Sequence, residues 1–524
     1  METLTISIKR FFYRLAVFLS RTVAFFSHDH HKLHVARFAR LHELSHLLCP
    51  SLDDLKTGLL LGVSHFNRFV CIRPTQTRRE LGNLLVVAPT RGGKGLMAVT
   101  QLLTFDNSAI VNDIKGELHE QTAGYRKTIG RVFVIDPTGV GHRFDPLNGR
   151  TTEDQLYSSA SHLLFHANEG EGAIFTQRAT VMLTQIFLAA RRESIAPFPY
   201  ARLLTRLGLA DTAARLNSVS PELATQFLDT NFHKASFDDR FLLSAWGTLT
   251  ARLRPLLTET VIRSLSGSDF TPGELMTSEK PVTVYLRWPE RDLLALSPLV
   301  RLIWGSCIDE LITTFDKAAG ENCRPVLLLA DEAGRTAIPM LADHATTVVG
   351  RRISLWVAIQ SLSQLEAVYG KARAQILRDN MDSQLFYRPS DIQTAKYLED
   401  RLGSVSAYAR SQTLHGGQES SEGRSERPIP LLSSQDITQL PDQAVIAFHR
   451  NLKPLRLTRL DWRQHPVLAK RQSIPPPRLS PLPSLDRGEN ILWQASGAEH
   501  DGYIDPDTRN TSQKPLQTIF EKHL

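Results

Sequence analysis

Short apolar runs recur along the chain, and segments with helical spacing lie between most of them. Eight such runs are bounded by turn or helix-start residues: 84–88, 109–112, 132–135, 282–286, 326–330, 353–359, 384–387 and 444–448. Continuous apolar runs of this length are typical of parallel strands in a sheet that is covered on both faces. Strands that alternate with helices predict an α/β fold with a doubly wound, mainly parallel sheet.

The interval 153–277 breaks this rhythm, because it contains helical stretches and no convincing strand. Two examples are RATVMLTQIFLAARR and DRFLLSAWGTLTARLRPLL. The interval is long enough to form a domain. The sequence therefore predicts an all-helical inserted domain between the third and fourth apolar runs. It would divide the α/β core into residues 46–152 and 278–462.

The amino-terminal segment, residues 1–45, is amphipathic. If residues 11–26 form a helix, Arg10, Arg14 and Arg21 fall within about 40° of one another on it. Such a helix rises about 24 Å, which is short of the ~30 Å hydrocarbon core of a bilayer. We therefore expect this possible membrane anchor to lie in the membrane interface. A helix buried against a partner subunit is the alternative.

Two further segments are poor in apolar residues. Residues 463–524 include SIPPPRLSPLPSLDRG, which starts at Ser473, and proline at that density predicts an extended tail. Residues 415–428, HGGQESSEGRSERP, predict a flexible surface loop.

Composition sets broad limits. Hydrophobic residues make up 42% of the chain and charged residues 22%, which is the balance of a globular protein. The net charge of +7 permits a polyanionic partner, although an arginine-rich proteome would explain it equally well. The four cysteines form no CxxC pair, which fits a reducing compartment.

The most informative segment is LLVVAPTRGGKG, residues 84–95, where an apolar run leads into a glycine-rich loop and then a helix. Such a loop turns backbone N–H groups toward a phosphate, and Lys94 adds a charge for the β and γ phosphates. The predicted nucleotide-binding residues are Pro89, Thr90, Arg91, Gly92, Gly93, Lys94 and Gly95. The usual first glycine is replaced by Ala88, and the usual Mg²⁺-binding hydroxyl is replaced by Gly95. On the motif alone, a chance glycine-rich turn remains an alternative.

A second motif, PVLLLADEAG, places Asp331 and Glu332 at the carboxyl end of a predicted strand, where ligands bind in open α/β sheets. Asp331 is expected to hold Mg²⁺ through its water shell, and Glu332 to polarise the attacking water. The alternative is a pair that only caps a helix. In ISLWVAIQSLSQL, Gln360 ends a strand expected beside Asp331, where its amide can contact a γ-phosphate or its water.

The chain resembles the type IV secretion coupling proteins, the conjugative DNA-transfer ATPases, from about residue 59 to 454. The resemblance rests on six blocks in the same order: APTRGGKG, VNDIKGELHEQTAGYRK, VFVIDPTG with RFDPLNG, TVYLRWPERDL, LLLADEAGRTAIPML and RRISLWVAIQSLSQLEAVYG. It implies a RecA-like P-loop ATPase that uses ATP and Mg²⁺. In that family a glycine after the loop lysine is common, so Gly95 is compatible with ATP use.

The resemblance also implies a hexameric ring at the cytoplasmic face of the bacterial inner membrane, with ATP sites between subunits. The helical domain would face the substrate, which would be DNA, a relaxase–DNA complex or a protein effector bound for the secretion channel. The chain departs from the family at its amino end, where two membrane-spanning helices usually stand. The sequence leaves open whether DNA or protein is moved, and in which direction.

Two rival functions remain at this point. One is a cytosolic DNA-pumping ATPase, and the other is an effector-protein receptor that binds nucleotide with little hydrolysis. An intact Lys94, Asp331, Glu332 and Gln360 favour hydrolysis. Because Ala88 and Gly95 replace two residues of the usual motif, the effector-protein receptor remains an alternative function.

Three smaller groups of residues have candidate roles. An arginine finger from a neighbouring subunit is expected to come from Arg351, Arg352 or Arg378, near the Gln360 strand or the helix after it. Asp113, Lys115 and Glu117 are expected to form local ion pairs and cap a helix. The histidines after the first helix could hold zinc, although a solvated surface is the simpler interpretation; they are His28, His30, His31 and His34.

Overall fold

The computed structural model describes residues 34–164, 172–335, 338, 341–413 and 421–483. The amphipathic stretch 11–26, His28, His30, His31 and residues 484–524 lie outside this description. The strands are β1 (Leu48–Cys49), β2 (Leu59–Val63), β3 (Phe69–Ile72), β4 (Leu84–Val87), β5 (Ser108–Asp113), β6 (Arg131–Asp136), β7 (Val140–Gly141), β8 (Val282–Arg287), β9 (Val326–Ala330), β10 (Ile353–Ile359), β11 (Ser383–Phe386), β12 (Ser404–Thr413), β13 (Ser421–Pro430), β14 (Ala444–His449) and β15 (Leu455–Thr458).

Helices connect most of these strands. They are α1 (Lys94–Thr104), α2 (Glu117–Ile129), α3 (Glu153–Leu164), α4 (Ala173–Arg192), α5 (Pro197–Leu207), α6 (Leu209–Val219), α7 (Pro221–Leu228), α8 (Arg240–Leu253), α9 (Glu259–Leu265), α10 (Glu274–Thr277), α11 (Leu293–Lys317), α12 (Leu341–Thr347), α13 (Leu362–Tyr369), α14 (Lys371–Asp379), α15 (Ile392–Leu402), α16 (Ser434–Thr438) and α17 (Pro466–Gln472).

Thirteen strands form one sheet in the order β1-β3-β2-β15-β14-β11-β4-β10-β9-β5-β8-β6-β7. The seven strands from β11 to β6 in this order are all parallel to one another. The predicted α/β class and mainly parallel sheet are therefore confirmed. One strand was predicted in the wrong direction: β14, the run 444–448, pairs antiparallel with β11. An apolar run reports burial on both faces but carries no information about direction.

The sheet is covered on both faces, and alternate residues of one strand face opposite cores because the side-chain period of a strand is two. In β4, Leu84 and Val86 pack in the core that contains Met97 of α1. Leu85 and Val87 pack in the other core, together with residues of α4 and α11. Because β4 is buried on both faces, its sequence is a continuous apolar run.

Helices α3 to α10 occupy the interval 153–277, as expected for the all-helical insertion. Their apolar side chains share one core with the sheet, since Met182 and Leu183 of α4 belong to the same cluster as Ile110 of β5. Within the described part of the chain, α4 is the one helix long and apolar enough to cross a membrane, and 72% of its most apolar window is buried inside the protein.

Two segments differ from the sequence-based expectation. Residues 421–428 of the expected surface loop belong to β13, which pairs over ten residues with β12. A ladder of backbone hydrogen bonds can form without apolar side chains, and the sequence pattern did not reveal it. Residues 466–472 of the expected extended tail form α17, which begins at Pro466, a favourable first helical residue.

Candidate nucleotide-binding site

The site lies where three neighbouring strands, β4, β10 and β9, end at the same edge of the sheet. β4 leads into the glycine-rich loop and Lys94, β10 is followed by Gln360, and β9 is followed by Asp331. These three predicted site residues are thereby brought together at the carboxyl edge, as expected for ligand binding in an open α/β sheet. A cleft of about 660 Å³ opens there between the loop, the start of α2 and the residues after β15.

The glycine-rich loop has the backbone conformation that its sequence allows. Gly93, immediately before α1, has a φ of 105°, which favours glycine. A Cβ at Gly93 would overlap the guanidinium of Arg459, whose Nη1 donates to the carbonyl of Gly92 at 3.0 Å. At Gly95, in contrast, an added Cβ would meet no heavy atom within 4 Å. The loop is therefore tightly built at Gly93 and open at Gly95.

Lys94 and Glu332 face each other across the cleft. Lys94 Nζ lies 3.5 Å from Glu332 Oε1, and Lys115 Nζ lies 3.9 Å from the same oxygen. Arg335 Nη1 lies 3.4 Å from Glu332 Oε2. Glu332 has a φ of 53°, an uncommon conformation for a residue with a Cβ. A positive φ strains the backbone of such a residue, and strained residues of this kind cluster at functional sites.

Asp331 and Asp113 lie side by side, because Ala330 of β9 pairs with Asn112 of β5. Burial raises the pKa of Asp331 to about 6, while Lys94 lowers it and the negative charge of Glu332 raises it further. Burial also raises the pKa of Asp113 to about 6, opposed by hydrogen bonds from the backbone of His119 and Leu118. Asp331 Oδ1 is buried and has no hydrogen-bond partner among the described residues. An unpartnered carboxylate oxygen suits a hydrated Mg²⁺.

Gln360 is placed as predicted, at the tip of the strand beside β9. Its side-chain Oε1 accepts a hydrogen bond from Thr90 Oγ1 at 3.4 Å, and its backbone N–H donates to Gln364 Oε1 at 2.9 Å. The side chain thus contacts the glycine-rich loop and can respond to what the loop holds.

Two of the arginine-finger candidates, Arg351 and Arg352, lie at the opposite edge of the sheet, and Arg378 lies in a separate surface pocket with Leu362, two residues after Gln360. Arg351 and Arg352 precede β10, whose seven residues span about 23 Å, and Arg378 lies on α14, which precedes β11. Arg351 Nε contacts Asp316 Oδ1 at 2.9 Å, Arg352 Nη1 donates to the carbonyl of Cys323 at 2.6 Å, and Arg378 lies over the Tyr397 ring at 5.2 Å. None of them faces the cleft of its own chain, so the finger remains a prediction about a second subunit.

The cleft also contains residues that the motifs did not identify. Arg459, Trp462 and Arg463 follow β15 and form one wall. No phosphate-binding pattern surrounds them in the sequence, and only the fold brings them to the glycine-rich loop. Asp113 accepts the backbone N–H of His119 at 2.7 Å near the start of α2, which agrees with its expected capping role. Among the described residues, no group of three or more His, Cys, Asp or Glu could hold a metal ion.

Comparisons with known proteins agree with this geometry. VirD4 of Rhizobium radiobacter is 28% identical over 407 residues, which cover 74% of this chain and 58% of VirD4. The conjugal transfer protein TraG of Escherichia coli is 25% identical over 402 residues, covering 68% of this chain and 62% of TraG. The chain thus spans about three fifths of each of these relatives.

Solved structures of the bacterial conjugative coupling protein TrwB share the fold. The unbound form has a TM-score of 0.60 at 16% identity and covers 78% of this chain and 90% of TrwB. The complex of TrwB with ADP and Mg²⁺ has a TM-score of 0.57 at 18% identity, covering 72% and 85%. The model of the type IV secretory system conjugative DNA transfer family matches residues 70–479. Because this match covers most of the chain and includes the whole cleft, the protein belongs to that family.

Proposed function

We propose that this protein is an Mg²⁺-dependent ATPase that couples ATP hydrolysis to the transfer of DNA or a relaxase–DNA complex into a type IV secretion channel. The observation that carries the proposal is the convergence of Lys94, Asp331 and Glu332 on one cleft beside a glycine-rich loop. The relatives VirD4 and TraG support it, since TraG is named a conjugal transfer protein. Two structures of TrwB contain nucleotide ligands: one contains ADP with Mg²⁺ and the other an ATP analogue.

In this proposal the loop and the first turn of α1 bind the phosphates. The backbone N–H groups of the loop and the positive end of α1 attract the anion, and Lys94 pairs with the terminal phosphates. Asp331 would hold Mg²⁺ through its water shell, and the ion would supply positive charge beside the phosphates. Gly95 would offer it no hydroxyl ligand.

Glu332 would orient and polarise the attacking water. Its carboxylate lies 3.5 Å from Lys94 Nζ. A bound phosphate competes for the lysine, and Glu332 is then released toward water. Gln360, which contacts Thr90 of the loop, would report the state of the nucleotide.

Assembly completes the proposal. We expect a homohexamer at the cytoplasmic face of the inner membrane, in contact with the secretion channel. Because none of the arginine-finger candidates lines the cleft of its own chain, they would act on a neighbouring subunit. Arg378 is the most suitable of the three, since it is partly exposed and makes no ion pair with an Asp or Glu among the described residues.

Replacement of Lys94 tests the proposal. Loss of a charge-assisted contact to phosphate is worth about 1.5–3 kcal/mol, so Lys94→Ala should weaken ATP binding about 10- to 100-fold. Lys127, exposed near the end of α2 and outside the cleft, provides the matched control variant Lys127→Ala. Unchanged nucleotide binding in Lys94→Ala would contradict the assignment of the cleft.

The rival functions predict different results. We expect DNA to stimulate hydrolysis and to bind with an affinity that falls steeply with salt, because phosphate contacts dominate such binding. Nucleotide binding with background hydrolysis and no response to DNA would instead support the effector-protein receptor. A DNA-stimulated ATPase that never co-purifies with inner membranes would support the cytosolic DNA pump.

A further inference from the structure

The chain that follows β15 runs along helix α1 as a strap, here defined as residues 459–472. At its start, Arg459 Nη1 donates to the carbonyl of Gly92 in the glycine-rich loop at 3.0 Å. In the middle, Thr100 of α1 donates to the carbonyl of Leu460 at 3.4 Å. At its end, Arg471 Nη1 donates to the carbonyl of Leu103 at 2.6 Å. The strap therefore contacts the glycine-rich loop and the second and third turns of α1, the helix that follows the loop.

Trp462 is the aromatic residue that the strap contributes to the cleft. Its ring is partly exposed, lines the cleft and packs at the edge of the core beneath α1. The backbone around it is fixed by a short 3-10 turn, Trp462–Gln464, in which Asp461 accepts the N–H of Arg463 at 3.0 Å. The Arg463 side chain is itself held by Asp461, with Nη2 at 2.6 Å from Oδ2. The turn thus presents the indole ring in a defined place.

The cleft lining combines charged and apolar groups. The glycine-rich loop, Lys94, Asp331 and Glu332 suit phosphate and a cation, and Leu96, Val99 and Trp462 add apolar groups beside Arg459 and Arg463. Val99 is five residues beyond Lys94 on α1, so it lies about 7.5 Å further along the helix axis. A nucleotide likewise joins charged phosphates to a flat, weakly polar base.

We propose that Trp462 stacks on the base of the nucleotide whose phosphates occupy the glycine-rich loop. The inference rests on the proposed function, because it assumes that the cleft binds a nucleoside triphosphate. Leu96 and Val99 would contact the opposite face or edge of the base. The ligand class is set by the shape of the cleft: a planar aromatic ring attached to a polyphosphate.

Stacking has a consequence for specificity. Every base presents a π-face, so a stacking platform tolerates different bases and contributes about 1–3 kcal/mol per base. Loss of the indole should therefore weaken the binding of ATP and of GTP to a similar extent. The affinity for inorganic triphosphate should change little. This comparison separates a contact with the base from a general distortion of the phosphate loop.

Nucleotide binding by the full-length protein tests the proposal. Trp462→Ala should weaken ATP and GTP binding by about 5- to 100-fold, whereas Trp462→Phe, which retains a stacking ring, should stay within about threefold of the unmodified protein. Trp246→Phe, in the helical insertion, is the matched control and should bind normally. Equal affinity of Trp462→Ala and the unmodified protein for ATP would overturn the proposal.

A second measurement does not depend on the stability of the alanine variant. Energy transfer from tryptophan to N-methylanthraniloyl-ATP should be weaker in Trp462→Phe than in the unmodified protein or Trp246→Phe, while Trp356 of β10 supplies a constant background. Transfer in Trp462→Phe equal to that in the unmodified protein would place the base elsewhere and overturn the inference. Failure of the proposed function would look different, because the unmodified protein would then bind no nucleotide and Lys94→Ala would change nothing.

Discussion

Glu332→Gln removes one charge from the centre of the cleft and keeps the shape of the side chain. In the structure this carboxylate has three cationic neighbours, Lys94 at 3.5 Å, Arg335 at 3.4 Å and Lys115 at 3.9 Å. The amide oxygen of glutamine can still accept from Lys94 and Lys115, which share Oε1, but an NH2 group replaces the Oε2 that Arg335 contacts. The negative charge is lost, and with it the ability to polarise water.

The expected effects on stability and on rate come from different interactions. Lys115 and Arg335 are partly exposed, with side chains 46% and 32% accessible, so their pairs contribute at most about 1 kcal/mol each. The Lys94 pair is largely buried, with side chains 9% and 13% accessible, so its loss lowers the free energy of unfolding by up to about 3–5 kcal/mol more. A positioned general base accelerates a reaction about 10²- to 10⁴-fold, which corresponds to about 3–5 kcal/mol in the activation free energy.

The assay is single-turnover hydrolysis of ATP by the full-length protein, with nucleotide affinity and urea unfolding measured on the same samples. Glu332→Gln should hydrolyse ATP at least about 100-fold more slowly and bind it with affinity equal to or above normal. Glu290→Gln is the control, because Glu290 also pairs with Arg335 but lies outside the cleft lining. Hydrolysis by Glu332→Gln at the unmodified rate would refute the catalytic role.

Three further outcomes are expected. Gly95→Ser adds a hydroxyl where the structure leaves open space, so Mg²⁺-dependent ATP affinity should rise by about two- to tenfold in calorimetry, and a loss of binding would contradict the open geometry. Gly305→Ala places a methyl group against the buried ring of His162 and should lower the free energy of unfolding by about 1–3 kcal/mol. The control is Gly247→Ala, at an open helical position, which should leave the free energy of unfolding unchanged or raise it by up to about 1 kcal/mol. In rings that mix Lys94→Ala with Arg378→Ala subunits, sites with an intact Lys94 beside an intact Arg378 of the neighbour form again, so hydrolysis should rise above that of either single-variant ring, and no rise would exclude Arg378 as a shared finger.

Much of the α/β core could be predicted from the sequence, because a strand buried on both faces leaves an unbroken apolar run. All eight predicted runs are strands in the structure, and Lys94, Asp331 and Gln360 follow three of them. The direction of β14 could not be predicted, because an apolar run is the same in a parallel and an antiparallel pair. The hairpin β12–β13 was missed because backbone hydrogen bonds, rather than an apolar pattern, define it.

The sequence by itself determined the phosphate loop and the acidic pair, since each is a short motif whose chemistry is contained in neighbouring residues. The tertiary structure decided what surrounds them. It placed Arg351 and Arg352 at the far edge of the sheet, because they precede β10, whose opposite end forms the site, and it placed Arg378 outside the cleft lining. It also brought Arg459 and Trp462 to the loop from more than 360 residues away. Contacts of that range depend on how the sheet orders its strands, which no local pattern encodes.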